Sequence, residues 1–249
     1  MLIDRIKLAK KLAGQMVLSV TRKAAVLASG RSPVTSTCQI PALRAKYDAI
    51  GLDPTRGVFV EIGGYDGETH SNTAFLADQG WRGVYVEPIP DFCRQIKARH
   101  WLNDVVVEPM AAGDARGRAT MHQMGPLTTR SEDTRDAFRG LSWSAAFAAR
   151  SREVQVHMDT LSAILERNRV PRSFDLMVVD VEGAEEQIIA DLLASAWRPR
   201  ALVIELLDAF PGFENFPETR SSAQRTRVAL TQDGYRAHYV DELNTIFVR

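Results

Sequence analysis

Only two of the 249 residues are cysteines, Cys38 and Cys93, and they stand far apart without metal-ligand spacing. That excludes a disulfide framework and a structural zinc centre, and it suits a reducing compartment. An excess of charge of one sign is also absent. Thirty-one basic residues balance 31 acidic ones, so no global field steers the chain toward nucleic acid, and no nucleic-acid partner is expected. Long hydrophobic runs are missing too. The most apolar N-terminal stretch, Leu12 to Ser29, is interrupted by Arg22 and Lys23, which makes it a poor membrane span. It carries no signal-cleavage pattern, and the expected location is cytoplasmic. There is no G-x-G-x-x-G turn and no obvious Tyr/Lys proton-relay pair, which argues against a nicotinamide oxidoreductase.

What the chain does have is Val58-Phe-Val-Glu-Ile-Gly-Gly-Tyr-Asp-Gly67, followed by Gly83-Val-Tyr-Val-Glu-Pro88. An apolar run ends in an acidic glycine turn, and a second apolar run ends in a lone carboxylate. An open α/β sheet holds a nucleoside in this way. Glycines let the backbone approach the ligand, and the second carboxylate, Glu87, accepts from the ribose hydroxyls. Glu61 and Asp66 at the turn would repel a pyrophosphate. A cationic sulfonium with an amino-acid tail suits them better, and that charge argument points to S-adenosylmethionine (SAM).

From residue 58 onward strands and helices alternate. Strands are predicted at about 58–62, 83–87, 105–109, 175–180 and 201–206, with helices at about 70–79, 90–100, 159–168 and 184–196. Such alternation implies an α/β doubly wound sheet with right-handed crossovers and helices on both faces. A helix near 221–233 leads to two apolar runs, 235–240 and 244–249, joined tightly enough to pair as an antiparallel hairpin. Five parallel strands followed by that hairpin suit the class I SAM-methyltransferase sheet. Residues 57–249 are therefore expected to form the catalytic domain, and residues 1–56 a helical extension. Within that extension, Leu2, Ile6, Ala9, Ala13, Met16, Val17, Val20, Ala24 and Leu27 recur at helical spacing on one face. Opposite them stand Arg5, Lys7, Lys10, Lys11, Arg22 and Lys23, against a single Asp4. Such a helix can dock on its own domain, self-associate, or lie peripherally on an anionic membrane.

Residues 125–152 interrupt the rhythm as a polar insertion, which reads as a lid, a binding loop or a disordered segment. Short strands are expected at 118–122 and 153–157 beside it. The segment Pro211 to Pro217 is a second irregular stretch with exposed-looking aromatics.

A second motif runs Phe174-Asp-Leu-Met-Val-Val-Asp-Val-Glu-Gly-Ala-Glu185. Asp180 ends a strand, and on an extended backbone it shares a face with Glu182. With the first and fourth strands adjacent in the sheet, Asp180 is expected to face the cofactor. Glu185 and Glu186 suit a helix N-terminus. Asp180, Glu182 and His70 are the candidate bases, in that order. No metal is assigned, although a metal bridging Asp180 and Glu182 stays open. Among the remaining histidines, His122 and His157 flank the insertion, and His100 and His238 look structural. The arginines of the insertion, with Glu132, Asp133 and Asp136, read as a solvated, salt-bridged helical face.

These segments together with Ser71-Asn-Thr73, Gly80-Trp-Arg82 and Asp159-Thr-Leu161 resemble the FkbM-type SAM-dependent methyltransferases over roughly residues 55–206. The sequence departs at Gly64-Tyr65, where family members more often carry a small residue followed by asparagine or a similar residue. The resemblance implies O-methylation of a sugar, polysaccharide or natural-product hydroxyl, so a small-molecule or carbohydrate acceptor. Carried over by position, Glu61, Gly63, Gly64, Tyr65, Asp66 and Gly67 would shape the turn around the methionine part, with Asp66 accepting from its ammonium group. Glu87 and Pro88 would hold the ribose, Met110 and Ala111 would flank the adenine, and Asp180 would line the reactive end. An N-methyltransferase of the same fold and a non-catalytic SAM-binding protein are the alternatives.

Overall fold

The computed structural model describes residues 2–210, 213–214 and 216–249, the side chains of Leu2 and Ile3 excepted. The chain forms two compact units, Met1–Pro109 and Met110–Arg249.

The first unit opens with α1 (Leu2–Ser29) and α2 (Leu43–Ala49). It continues through β1 (Val58–Ile62), α3 (Ala74–Asp78), β2 (Arg82–Val86), α4 (Pro90–Arg99) and β3 (Val105–Glu108). β1 pairs in parallel with β2, and β2 with β3. Phe59, Val60, Ile62, Val84, Tyr85 and Val86 are all buried, as near-continuous apolar strands of a parallel sheet require. Gly83 is fixed by packing: a Cβ there would lie 2.3 Å from the Phe59 ring. Residues 1–56, expected as an extension, belong to this unit, because α1 lies against α4 and α3.

The face of α1 that docks is not the predicted apolar stripe. Ile6, Met16, Val17, Val20 and Leu27 are exposed. The docked face instead carries half-buried Leu8, Leu12, Leu18 and Val26 together with polar groups. Gln15 Nε2 donates to the Asp66 carbonyl at 3.2 Å, Arg22 pairs with Glu68 at 2.6 Å, and Lys23 Nζ donates to the Asp78 carbonyl at 2.8 Å. Fixed partners for these groups on the glycine turn and on α3 decide the orientation that apolar periodicity alone left open. Among the described residues no helix is long and apolar enough to cross a membrane.

The second unit runs β4 (Ala111–Gly113), β5 (Gly117–Gln123), a 3-10 turn at Gly125–Leu127, α5 (Glu132–Gly140), α6 (Ala145–Ala148) and β6 (Arg152–Thr160). Then come α7 (Leu161–Arg167), β7 (Ser173–Val179), α8 (Glu185–Ala194), β8 (Arg198–Glu205), α9 (Pro217–Gln232), β9 (Arg236–Val240) and β10 (Asn244–Val248). β7 and β8 are parallel, while β10 runs antiparallel to both β8 and β9. The seven-stranded order is β3-β2-β1-β7-β8-β10-β9, so five parallel strands end on the expected hairpin. A separate three-stranded sheet, β4-β6-β5, takes in the two expected short strands.

The insertion is ordered. Ser131 caps α5 by accepting from the Thr134 amide at 3.1 Å, which supplies the N-terminal partner a helix lacks. Phe138 and Ala137 bury themselves with Met124, Leu127, Ala148, Leu207 and Phe213. Phe213, expected to be exposed, is therefore a core residue. Its ring lies 5.9 Å from Phe138 and 5.5 Å from Phe216, edge-on or tilted. Pro211, Gly212 and Asn215 of that segment lie outside the described residues. Arg135 and Arg139 pair with Asp136 on the helix surface, as the charge pattern predicts.

At the end of α4, Arg99 sends both terminal nitrogens to Asp78, at 2.9 and 2.6 Å, and its Nε to Glu68 at 2.8 Å. The side chains of Arg99 and Asp78 are both 0% exposed. Ser32 and Asn103 also donate to Asp78. Burial alone would push the Asp78 carboxyl up, but the Arg99 guanidinium and these donors outweigh it and hold the carboxyl below its ordinary range. Arg99→Ala leaves a buried carboxylate uncompensated, which typically costs about 3–5 kcal/mol. Urea unfolding should show a loss of that size, and a loss within the scatter of a surface substitution would remove the pair from its structural role.

Candidate functional site

In the first unit the glycine turn follows β1 directly. Gly63 donates to the Val86 carbonyl at 2.9 Å, and Gly67 to the Gly64 carbonyl at 2.9 Å. Gly63 (φ 90°) and Gly67 (φ 80°) adopt the left-handed conformations only glycine takes easily. Gly64 is needed for space, since a Cβ would meet the Tyr85 ring at 2.8 Å. Tyr65 is also left-handed (φ 46°). Asparagine tolerates this conformation far better than tyrosine. The Tyr65 ring compensates by packing edge-on against Phe92, with centroids 4.6 Å apart.

Glu87 lies just past β2 and is 4% exposed. One carboxylate oxygen accepts from the Tyr65 amide at 3.0 Å, and the other from the Ile89 amide at 2.8 Å. The predicted ribose ligand is thus pinned to the glycine turn, with lone pairs left on both oxygens. Burial pushes its carboxyl up to about 8, against the pull of those two amides. Pro88 is half-buried beside it, ahead of α4.

Glu61, buried at 4%, accepts from the Thr73 hydroxyl, which itself pairs with the Tyr85 hydroxyl at 2.9 Å. Asp66 accepts from the amides of Glu68 (2.9 Å) and Thr69 (2.7 Å) and from the Thr69 hydroxyl. That turn delays α3, which begins at Ala74 and not near residue 70 as expected. Ser71 Oγ accepts from the Ala74 amide at 3.0 Å at its start. His70 (φ 61°) sits in the turn, its Nδ1 2.8 Å from the Thr37 carbonyl. Facing a carbonyl, Nδ1 carries the proton, which leaves Nε2 as the basic nitrogen. His100 is structural, as predicted. Burial, with Arg99 adding, lowers it to about 3, and its neutral ring bridges the Gly67 carbonyl and Asn103.

The second unit holds the other predicted residues. Ala111 is buried in the β4–β6 ladder, and Met110 Sδ receives Arg167 Nη2 at 3.2 Å. His122 is buried in β5, whereas His157 is exposed on β6. Beyond β7, Asp180 and Glu182 come together with Glu205 at the end of β8. Carboxylate oxygens of all three lie within 4.8 Å of one another. Glu182 takes φ 56° and is buried, a strained conformation that only strong surroundings maintain. They are visible. The Thr129 hydroxyl donates to the Glu182 carbonyl at 2.5 Å, and Glu185 accepts from the amides of Gly183 (3.0 Å) and Val181 (3.3 Å). Gly183 is required twice over, by φ 104° and by a Cβ position 2.4 Å from the Thr134 hydroxyl.

Glu185 thus organises the loop, and Glu186 pairs with Arg225 at 2.6 Å, the helix-start roles expected of them. Burial raises Glu185 to about 7. Burial first, then the charge of Asp180, pushes Glu182 and Glu205 well above the carboxylate range. Sequence reasoning missed Glu205. Its signal was the same as that of Glu87 and Asp180: a carboxylate closing an apolar strand. A cleft of about 190 Å³ opens at the start of α8, bordered by Asp133, Glu185, Glu205, Glu218 and Ser222.

The Methyltransferase FkbM domain model matches residues 61–237, more than half of the chain. The chain belongs to the FkbM family of SAM-dependent methyltransferases. No curated protein is similar enough in sequence to count as a match. Among solved structures, the O-methyltransferase from Bacillus cereus in complex with SAH is 13% identical, over 95% of this chain and 91% of that one, with a TM-score of 0.47. Fibrillarin from Aeropyrum pernix, with natively bound SAM, is 15% identical over 82% and 72%, at a TM-score of 0.40. A TehB-like SAM-dependent methyltransferase from Corynebacterium glutamicum is 12% identical over 95% and 99%, at 0.41.

The raised carboxyls set a pH dependence of stability. Glu87 and Glu185 titrate near 8 and 7 in the folded protein and at about 4.3 when unfolded. Their contribution is complete below the unfolded value and is lost as pH rises through the folded ones. Stability should therefore fall between about pH 5 and 8, each group adding a slope of at most about 1.4 kcal/mol per pH unit. Glu87→Gln should flatten that slope even if it lowers stability throughout, by misplacing an amide against the Tyr65 and Ile89 N–H groups. Denaturant melts across this range would refute the assignment if both proteins gave the same slope.

Proposed function

We propose that this methyltransferase transfers the SAM methyl group to a hydroxyl of a sugar, polysaccharide or natural-product acceptor. The observation that carries this reading is the cleft beside α8, whose described lining residues include five carboxylates, several hydroxyls and an amide, but no lysine, arginine, histidine or aromatic ring. Such a lining offers hydrogen-bond acceptors to a neutral polyol. It would also attract a cationic amine, the N-methyltransferase alternative. Nearby carboxylates favour the ammonium form, however, which has no lone pair to attack the methyl group.

In this reading the turn from Gly63 to Gly67 holds the methionine part, with the charge of Asp66 toward its ammonium group, and Glu87 binds the ribose hydroxyls. Met110 and Ala111 are assigned to the adenine edge. Transfer is an in-line displacement at the sulfonium methyl, in which alignment of the acceptor can contribute roughly 7–11 kcal/mol. The hydroxyl also loses its proton as the bond forms. Asp180 is the preferred base, because burial and the neighbouring charge hold Glu182 and Glu205 protonated well above the carboxylate range. His70 Nε2 is the runner-up.

Two variants test this. Glu87→Ala removes charged hydrogen bonds worth roughly 1.5–3 kcal/mol, so affinity for SAM and SAH should drop about ten- to a hundredfold. Unchanged affinity in a folded variant would overturn the ribose assignment. Asp180→Asn should bind SAM while turning over a hydroxyl acceptor about 10²–10⁴ times more slowly, and wild-type turnover would remove Asp180 from the mechanism. An acceptor panel on which only amines are methylated would favour the N-methyltransferase reading. SAM binding without turnover on any acceptor would favour the non-catalytic one.

A further inference from the structure

Three carboxylates from the ends of two adjacent strands converge at one point. Asp180 and Glu182 follow β7 and Glu205 closes β8, with one oxygen of each within 4.8 Å of the others. Acidic clusters are common on protein surfaces, but Glu182 is not on the surface. It is only 8% exposed, and among the described residues its carboxylate receives no hydrogen bond and no ion pair. Its neighbours are other carboxylates. A buried charged group left in this way is costly unless something compensates it. The backbone nevertheless maintains the arrangement: Thr129 holds the Glu182 carbonyl, Glu185 gathers the Val181 and Gly183 amides, and Gly183 has no room for a side chain.

We propose that Asp180, Glu182 and Glu205 form a binding site for a hard divalent cation. An all-carboxylate oxygen set selects magnesium, manganese or calcium over softer metals. Ligand oxygens on opposite sides of such an ion stand roughly 4–5 Å apart, which the observed spacing accommodates with little movement. The site borders the cleft through Glu205, so the ion can also take an acceptor oxygen among its ligands. A bound divalent cation eases deprotonation of an oxygen ligand, and the acceptor's proton could then leave to solvent or to a nearby carboxylate. That last consequence rests on the hydroxyl-methylation reading. The binding itself does not.

The test uses the full-length chain, stripped of metal by chelator and titrated with Mn²⁺ by electron paramagnetic resonance and calorimetry at mildly alkaline pH, where protons compete least. One saturable Mn²⁺ site is expected, competed by Mg²⁺ or Ca²⁺, with a rise in melting temperature on saturation. Glu182→Gln and Glu205→Gln should each weaken Mn²⁺ binding at least about tenfold. Asp133→Asn and Glu218→Gln, in the same cleft but outside the trio, should leave it nearly unchanged. Without metal, Glu182→Gln should melt at or above the wild-type temperature, because it removes an ionisable group from a crowded, buried trio of carboxyls. SAH affinity, measured on the same samples, reports the cofactor site separately. No saturable binding by folded, SAH-binding wild-type protein would overturn the proposal, as would equal Mn²⁺ affinity in Glu182→Gln.

Discussion

The first unit depends on the fork of Arg99. Its guanidinium joins Asp78 at the end of α3 to Glu68 on the glycine turn, and Glu68 in turn holds Arg22 of α1. Four elements that are far apart in sequence therefore meet at one fully buried cation. A planar group with donors on three nitrogens can serve two carboxylates at fixed angles, which a lysine cannot. The glycine turn needs such an anchor. Three of its residues occupy left-handed backbone conformations, and the sheet alone does not hold them there.

A second constraint links the turn to the ribose carboxylate. Glu87 accepts from the Tyr65 and Ile89 amides, so one side chain ties the turn after β1 to the start of α4. The same bonds limit where its remaining lone pairs can point. Pre-orientation of this kind lowers the ordering cost of binding a ligand. Burial works against the charge of Glu87, and a ligand that supplies two hydroxyl donors offsets that cost. In the second unit the compensation is incomplete. Loop bonds fix Glu182, while its carboxyl is left among other carboxyls.

Much of this was legible in the sequence because its signals are local. Apolar runs closed by Glu61, Glu87 and Asp180 gave β1, β2 and β7 to within a few residues. The tight spacing of 235–240 and 244–249 gave the hairpin. What remained hidden depended on tertiary partners. The docking face of α1 was misassigned because Gln15, Arg22 and Lys23 find partners on α3 and the glycine turn, and helical periodicity does not register those. The late start of α3 follows from the bonds Asp66 makes to Glu68 and Thr69. Phe213 is buried by Phe138 of an insertion whose polar composition masked its small apolar core. Glu205 escaped notice because its importance appears only once β8 lies beside β7.

The central claim is that the glycine turn and Glu87 hold SAM as the methyl donor. A crystal structure of the full chain grown with SAH tests it most directly. The account predicts both ribose hydroxyls on the Glu87 carboxylate and the amino-acid tail against the backbone of Gly63 to Gly67. A nucleoside seated elsewhere, or a turn left empty at saturating SAH in a folded protein, would contradict it.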